Sequence, residues 1–128
     1  MSISPPKYSA PAQPNVVDGR AIAAQIQREL AARVGELKRR GVIPGLAFVR
    51  VGEDPASKVY VGRKEKACAE LGIASETHVL PETTSEAELL ALIGKLNADS
   101  RLHGILVQAP LPKPIRESEI GRASCRER

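Results

Sequence analysis

The chain has 128 residues, a formal net charge of +4 and three aromatic side chains, Tyr8, Phe48 and Tyr60. That length holds one small domain with a modest core, and so few stacking groups among interspersed acidic and basic residues argue against a base-stacking nucleic-acid binder. Two cysteines, Cys68 and Cys125, are too few for a disulfide scaffold, no apolar run approaches the roughly 18 residues of a membrane span, and the N-terminus lacks a signal-peptide core, so a cytoplasmic protein without a membrane or nucleic-acid partner is expected.

Residues 1–14 carry four prolines with Ser, Ala and Gln and read as a disordered leader. Asp18 then caps a helix running to about Arg40, with Ile22, Ile26, Leu30, Val34 and Leu37 as its buried stripe. Lys38, Arg39 and Arg40 suit the negative end of the helix dipole, and Gly41 suits the exit. Gly45 to Val51 reads as a strand. Asp54-Pro55 opens a helix that Gly72 closes, because an acidic cap, a proline in the first turn and a terminal glycine mark the two ends.

At about 100° per residue, Ser57, Tyr60, Val61, Lys64, Ala67, Cys68 and Leu71 share one face of that helix. Lys64 stands in the middle of it, one turn beyond Tyr60 and two beyond Ser57. Two readings stand. A lysine stem can lie along apolar surface with its ammonium in water. Alternatively the amine is desolvated, which lowers its pKa and suits it to proton transfer beside a hydroxyl and a flat ring. Cys68, with no histidine near it in sequence, reads as a small core residue.

Ile73 to Leu80 reads as a second strand ended by Pro81, with His78 an exposed strand residue rather than a metal ligand. Ser85 and Glu88 form a capping box for a helix that buries Leu89, Leu92, Ile93 and Leu96 and ends near Asn97. Gly104 to Gln108 is a third strand, apolar enough to be covered on both sides. The alternation of helices and strands predicts an α/β domain of three layers with a parallel sheet. Ligands collect at the carboxyl ends of such strands, which places Gln108 and the Gly52–Asp54 turn at one edge. Gln108 then either meets Lys64 across a cleft or serves only as a strand end.

From Asp18 through Pro112 the chain resembles the N-terminal catalytic domain of the bifunctional methylenetetrahydrofolate dehydrogenase/cyclohydrolase family. The family's tyrosine-x-x-x-lysine element stands as Tyr60-Val61-Gly62-Arg63-Lys64, after Pro55-Ala56-Ser57 and before Lys66-Ala67-Cys68. A second signature appears as E-A-E-L-L-A-L-I-G-K-L-N-A-D, then after five residues I-L-V-Q; the usual Gln-Leu-Pro is here Gln108-Ala109-Pro110. The resemblance implies oxidation of 5,10-methylenetetrahydrofolate with NADP, then hydrolysis to 10-formyltetrahydrofolate, in one-carbon metabolism. It implies that Lys64 transfers the proton, Tyr60 packs on the folate ring system, Gln108 orients the lysine, and Ser57 and Pro110 line the same cleft. It further implies a homodimeric enzyme whose NADP is held by a separate Rossmann domain.

No G-x-G-x-x-G stands in this chain. Residues 15–118 are therefore expected to form an incomplete catalytic domain, marginally stable and with apolar surface exposed. Residues 119–128, E-I-G-R-A-S-C-R-E-R, lack an apolar period and read as a foreign, adapter-derived tail with no core role. A stand-alone α/β module that binds a small ligand without catalysis is the alternative from the residues alone.

Overall fold

The computed structural model describes residues 16–124, so the expected leader over 1–14 and Cys125 lie outside the described residues. The elements run α1 (Gly19–Arg39), β1 (Gly45–Val51), α2 (Pro55–Leu71), β2 (Ala74–Leu80), α3 (Glu86–Ala98), β3 (Gly104–Val107) and α4 (Glu117–Ser124). The strands are all parallel and lie in the order β2-β1-β3, with β1 in the centre.

The local signals act where expected. Asp18 accepts from the backbone N–H groups of Arg20 and Ala21, and Asp54 accepts from that of Ser57. Ser85 and Glu88 close a reciprocal capping box. Each arrangement satisfies donors that a helix start leaves without partners. At the exit of α2, Gly72 adopts φ +78° and Ile73 donates back to the Cys68 carbonyl at 2.9 Å. A left-handed residue at this place favours glycine, since a Cβ is strained there.

Alternation along β1 divides the core in two. Ala47, Val49 and Val51 face one side, where Leu89, Ile93 and Leu96 of α3 pack with Leu102, Ile115 and Ile120. Phe48 faces the other, with Val61 and Cys68 of α2. The result is a three-layer α/β domain. Cys68 is buried, and burial together with the nearby Glu65 charge pushes its thiol pKa up, in keeping with a core role.

Three expectations need correction. The stripe of α1 is not buried along its length: Val34 alone among its residues is fully buried, and Ile26 and Leu30 are exposed. α1 meets α2, and Val34 and Lys38 lie beside Gly72, the cap that ends α2. β3 is an edge strand and is not covered on both sides: Ile105 and Val107 pack on the α3 core, while Leu106, on the α2 face, is 37% exposed. Helix α2 joins β1 to β2 and lies over those two strands, which leaves β3 largely open on that face.

The third correction concerns residues 119–124. They form most of α4, which packs against α3 and β3; Ile120 is 3% exposed within the main core, and Asn97 Nδ2 donates to the Ala123 carbonyl at 2.9 Å. One large apolar residue on a short helix was enough to close that side of the core, where periodicity gave no sign of it. Ile120→Ala is expected to cost about 2–5 kcal/mol, the range for deleting a buried isoleucine. Urea unfolding followed by circular dichroism measures it, and an unchanged midpoint would mean that the segment has no core role.

Candidate functional site

The site forms where α2 passes the carboxyl end of β3. Phe48 and Leu106 are register partners on the α2 face of the sheet, and Gln108, two residues beyond Leu106, continues on that face. Its backbone N–H still donates to the Val49 carbonyl at 2.8 Å, so the residue is anchored to the central strand. Lys64 projects from the middle of α2, and its Nζ donates to Gln108 Oε1 at 2.9 Å. The same Nζ stands 5.9 Å from the centroid of the Tyr60 ring, within reach of a cation–π contact.

The other end of the Gln108 amide is also engaged. Its Nε2 donates to the Ala109 carbonyl at 3.0 Å, and the Ser57 hydroxyl donates to that same carbonyl at 3.3 Å. Rotating the amide by half a turn would set its NH2 group against the Lys64 amine and two carbonyl oxygens against each other. The Ala109 carbonyl therefore orients Gln108 so that it presents only an acceptor to Lys64. A neutral or a charged amine can donate to that acceptor, so the contact places Nζ in either protonation state.

Lys64, Tyr60, Gln108 and Ser57 are thus brought together, with differences from expectation. Tyr60 does not face inward; its residue is 53% exposed and the ring stands at the rim. Lys64 is half-buried rather than sealed from water. Ser57 is 2% exposed, and its hydroxyl is spent on the Ala109 carbonyl, so it ties α2 to the β3 exit instead of lining an open wall. Pro110 is exposed in the following turn, after a cis peptide bond.

Sequence reasoning missed two groups. The Ala109 carbonyl carries no side-chain signal at all. Arg50 had one, since alternation along β1 puts it on the α2 face with Phe48. Its Nη1 donates to the Gly52 carbonyl at 2.6 Å and lies 3.8 Å from Glu53, which also pairs with Lys58. The Lys58 hydrogen bond and charge, with a smaller contribution from Arg50, lower the Glu53 pKa. A cavity of about 260 Å³ lies at the opposite end of the strands, lined by Gly45, Leu46, Glu76 and Arg101 among others, and holds none of the motif residues. A second cavity, of about 180 Å³, is lined by Val107, Ala109 and Leu111 beside the β3 exit.

Among the described residues no group of three or more His, Cys, Asp or Glu side chains is placed to hold a metal, and no helix is long and apolar enough to cross a membrane. The N-termini of α2 and α3 are occupied by the chain's own carboxylates, Asp54 and Glu88. A dinucleotide phosphate needs such ends free, usually behind a glycine-rich turn. The described residues do not fit NADP.

Residues 17–126 match the family model described as the tetrahydrofolate dehydrogenase/cyclohydrolase catalytic domain. The chain belongs to the tetrahydrofolate dehydrogenase/cyclohydrolase family. It is 59% identical over 105 residues to the bifunctional protein FolD 2 of Geobacter metallireducens, covering 82% of this chain and 37% of that protein. It is 56% identical over 110 residues to the bifunctional protein FolD of Moorella thermoacetica, covering 86% and 39%. Among solved structures, the FolD methylenetetrahydrofolate dehydrogenase/cyclohydrolase of Campylobacter jejuni superposes with a TM-score of 0.81 at 46% identity, covering 84% of this chain and 38% of that one. The enzyme of Trypanosoma brucei, solved with NADP and an inhibitor, gives 0.79 at 36% identity, covering 84% and 37%. The chain thus spans well under half the length of the family members it matches.

The turn after Gln108 is held from its far end by Arg116. Its guanidinium forks onto Glu86 at 2.7 Å, and its backbone N–H donates to the same carboxylate at 2.8 Å. These bonds, the side-chain bond first, hold the Glu86 carboxyl at about 2, well below its usual 4.5. Because the folded value is the lower one, the fork stabilises the fold above the unfolded pKa and that contribution is lost as pH falls through about 4.5 toward 2. Glu86→Gln is expected to lose less stability over that interval than the parent chain. Urea midpoints at several pH values test this, and parallel curves for the two proteins would contradict it.

Proposed function

We propose that this domain binds a reduced folate against the Tyr60–Lys64 face of α2 and supplies the proton-transfer group for opening the methenyl ring. The observation that carries the reading is the Lys64–Gln108 contact at 2.9 Å, with the Tyr60 ring beside it. The exposed ring offers a flat surface on which a pterin-like heterocycle can stack. Lys64 Nζ sits at its margin, fixed from behind by an amide that cannot itself take the proton.

In the cyclohydrolase step, water attacks the electron-poor methenyl carbon while the neutral Lys64 amine accepts a water proton. As the carbon–nitrogen bond breaks, the ammonium returns that proton to the departing ring nitrogen, the hydroxyl proton leaves to solvent, and the formyl group remains on the other nitrogen. Water is consumed and one proton is released as the substrate's positive charge is lost. Positioned proton transfer of this kind contributes about 10²–10⁴-fold in rate. Gln108 and, through the Ala109 carbonyl, Ser57 act by holding the amine in place.

The same reading places the domain in an enzyme that first oxidises 5,10-methylenetetrahydrofolate with NADP. NADP supplies the hydride acceptor when bound. Since these residues do not fit it, its binding belongs in this reading to the portion of the family's proteins outside the matched third.

The test joins this domain to the remaining two-thirds of the Geobacter metallireducens relative and follows decay of methenyltetrahydrofolate. Lys64→Ala is expected to lower kcat at least 100-fold while substrate binding falls much less. Gln108→Leu is expected to lower kcat with the fold intact. Turnover that survives Lys64→Ala would remove the proposed role, and binding without turnover in the unsubstituted protein would favour a ligand-binding module.

A further inference from the structure

Arg50 is the one charged residue of β1, and it lies on the α2 face two residues beyond Phe48. Val79 is its register partner on β2. On its other side lies Gln108, whose backbone bond to Val49 carries the β1–β3 ladder one step past Val107. The Arg50 side chain is 12% exposed. A guanidinium is held that far from water only when a partner takes its donors. Here the partner is the Gly52 carbonyl, which accepts from Nη1 at 2.6 Å.

Gly52 is the buried corner at which the chain leaves β1. Its φ is +85°, and its own N–H donates to the Leu80 carbonyl at 2.9 Å. The corner is thus held by β2 on one side and by Arg50 on the other. Two residues on, Asp54 caps α2 by accepting from the Ser57 N–H at 2.8 Å. Lys58 of the same turn pairs with Glu53, which lies 3.8 Å from Arg50. The Ser57 hydroxyl reaches the Ala109 carbonyl at 3.3 Å, a length that leaves little slack.

We propose that Arg50 is a positioning residue for the Lys64–Gln108 pair. The apolar clusters seat α2 on the sheet, and Arg50 sets its first turn. By fixing the Gly52 corner it keeps the Ser57 hydroxyl on the Ala109 carbonyl. That same oxygen receives Gln108 Nε2 and so decides which end of the amide faces Nζ. The Gly52 bond carries the effect, because it is short, sheltered and assisted by charge. Glu53 is 68% exposed, so water screens its pairing with Arg50 and Lys58 and it holds the turn less firmly. An apolar side chain at position 50 would fill the space and leave the carbonyl without this donor. What the device means for turnover rests on the folate reading. The contact itself is followed without folate, so the two can fail separately.

Proton–nitrogen NMR of the full chain tests it through the Gln108 side-chain amide. In the unsubstituted chain the Arg50 Nη protons should give separate, slowly exchanging signals, and one averaged set overturns the proposal whatever the variants do. Arg50→Met keeps an unbranched stem and removes the donors. It should move the Gln108 Nε2 proton signals toward those of a free glutamine and speed their exchange with water severalfold. Arg50→Lys still offers the Gly52 carbonyl a charged donor and should restore them. Ser57→Ala should move them in the same direction, and Arg50→Met/Ser57→Ala should move them no further, because both changes act through one carbonyl. Glu53→Gln should move them least. Thermal melts confirm that each variant is folded. Gln108 signals unmoved in folded Arg50→Met, shifts that Arg50→Lys fails to restore, or shifts of Arg50→Met and Ser57→Ala that simply add, overturn the proposal.

Discussion

Lys64 and Gln108 are 44 residues apart in the chain and 2.9 Å apart in space. The proposed chemistry rests on that one contact, which requires α2 to cross the sheet at a particular height and β3 to end at a particular residue. The first condition comes from Val61 and Cys68, which seat α2 on Phe48. The second comes from the backbone bond of Gln108 to Val49, which keeps the residue in the ladder while its side chain turns toward the helix. Neither constraint involves a charged group, so apolar packing and sheet register carry the site.

A short polar chain refines the contact. The Ala109 carbonyl accepts from both Ser57 and Gln108, and so decides which end of the amide meets the lysine. That task needs a backbone oxygen, not a particular side chain at position 109. It explains how alanine can stand where leucine is usual in the family without disturbing the amide. The Arg116–Glu86 fork holds the far end of the same turn, so the turn is tethered at both ends. Both tethers are polar bonds between residues distant in the chain, whereas the elements they join are held by the two apolar clusters on either side of β1.

Much of the fold was legible along the chain because its signals are local. Asp54, Pro55 and Gly72 bound one helix, Ser85 and Glu88 start another, and alternating apolar residues mark β1. The errors share a physical cause. An apolar stripe says which face of a helix can be buried, not whether another element reaches it, so Ile26 and Leu30 of α1 stand exposed. An apolar strand says that burial is possible, not which strand is central, so β3 was expected to be covered on both faces. Residues 119–124 have no period, yet Ile120 fills a place in the core because α3 and Ile115 leave room for one side chain. Periodicity cannot register a single buried residue.

By itself the sequence determined the element types, their ends, the parallel α/β class and the spacing that sets Ser57, Tyr60 and Lys64 on successive turns of one helix. Those follow from bonds and contacts within a few residues, which the order of amino acids controls directly. Only the tertiary structure decided that Gln108 meets the lysine, that its amide points one way and that Tyr60 stands at the rim. Each of these depends on how separate elements come to rest against one another, and that is settled by packing of the whole core rather than by any stretch of it.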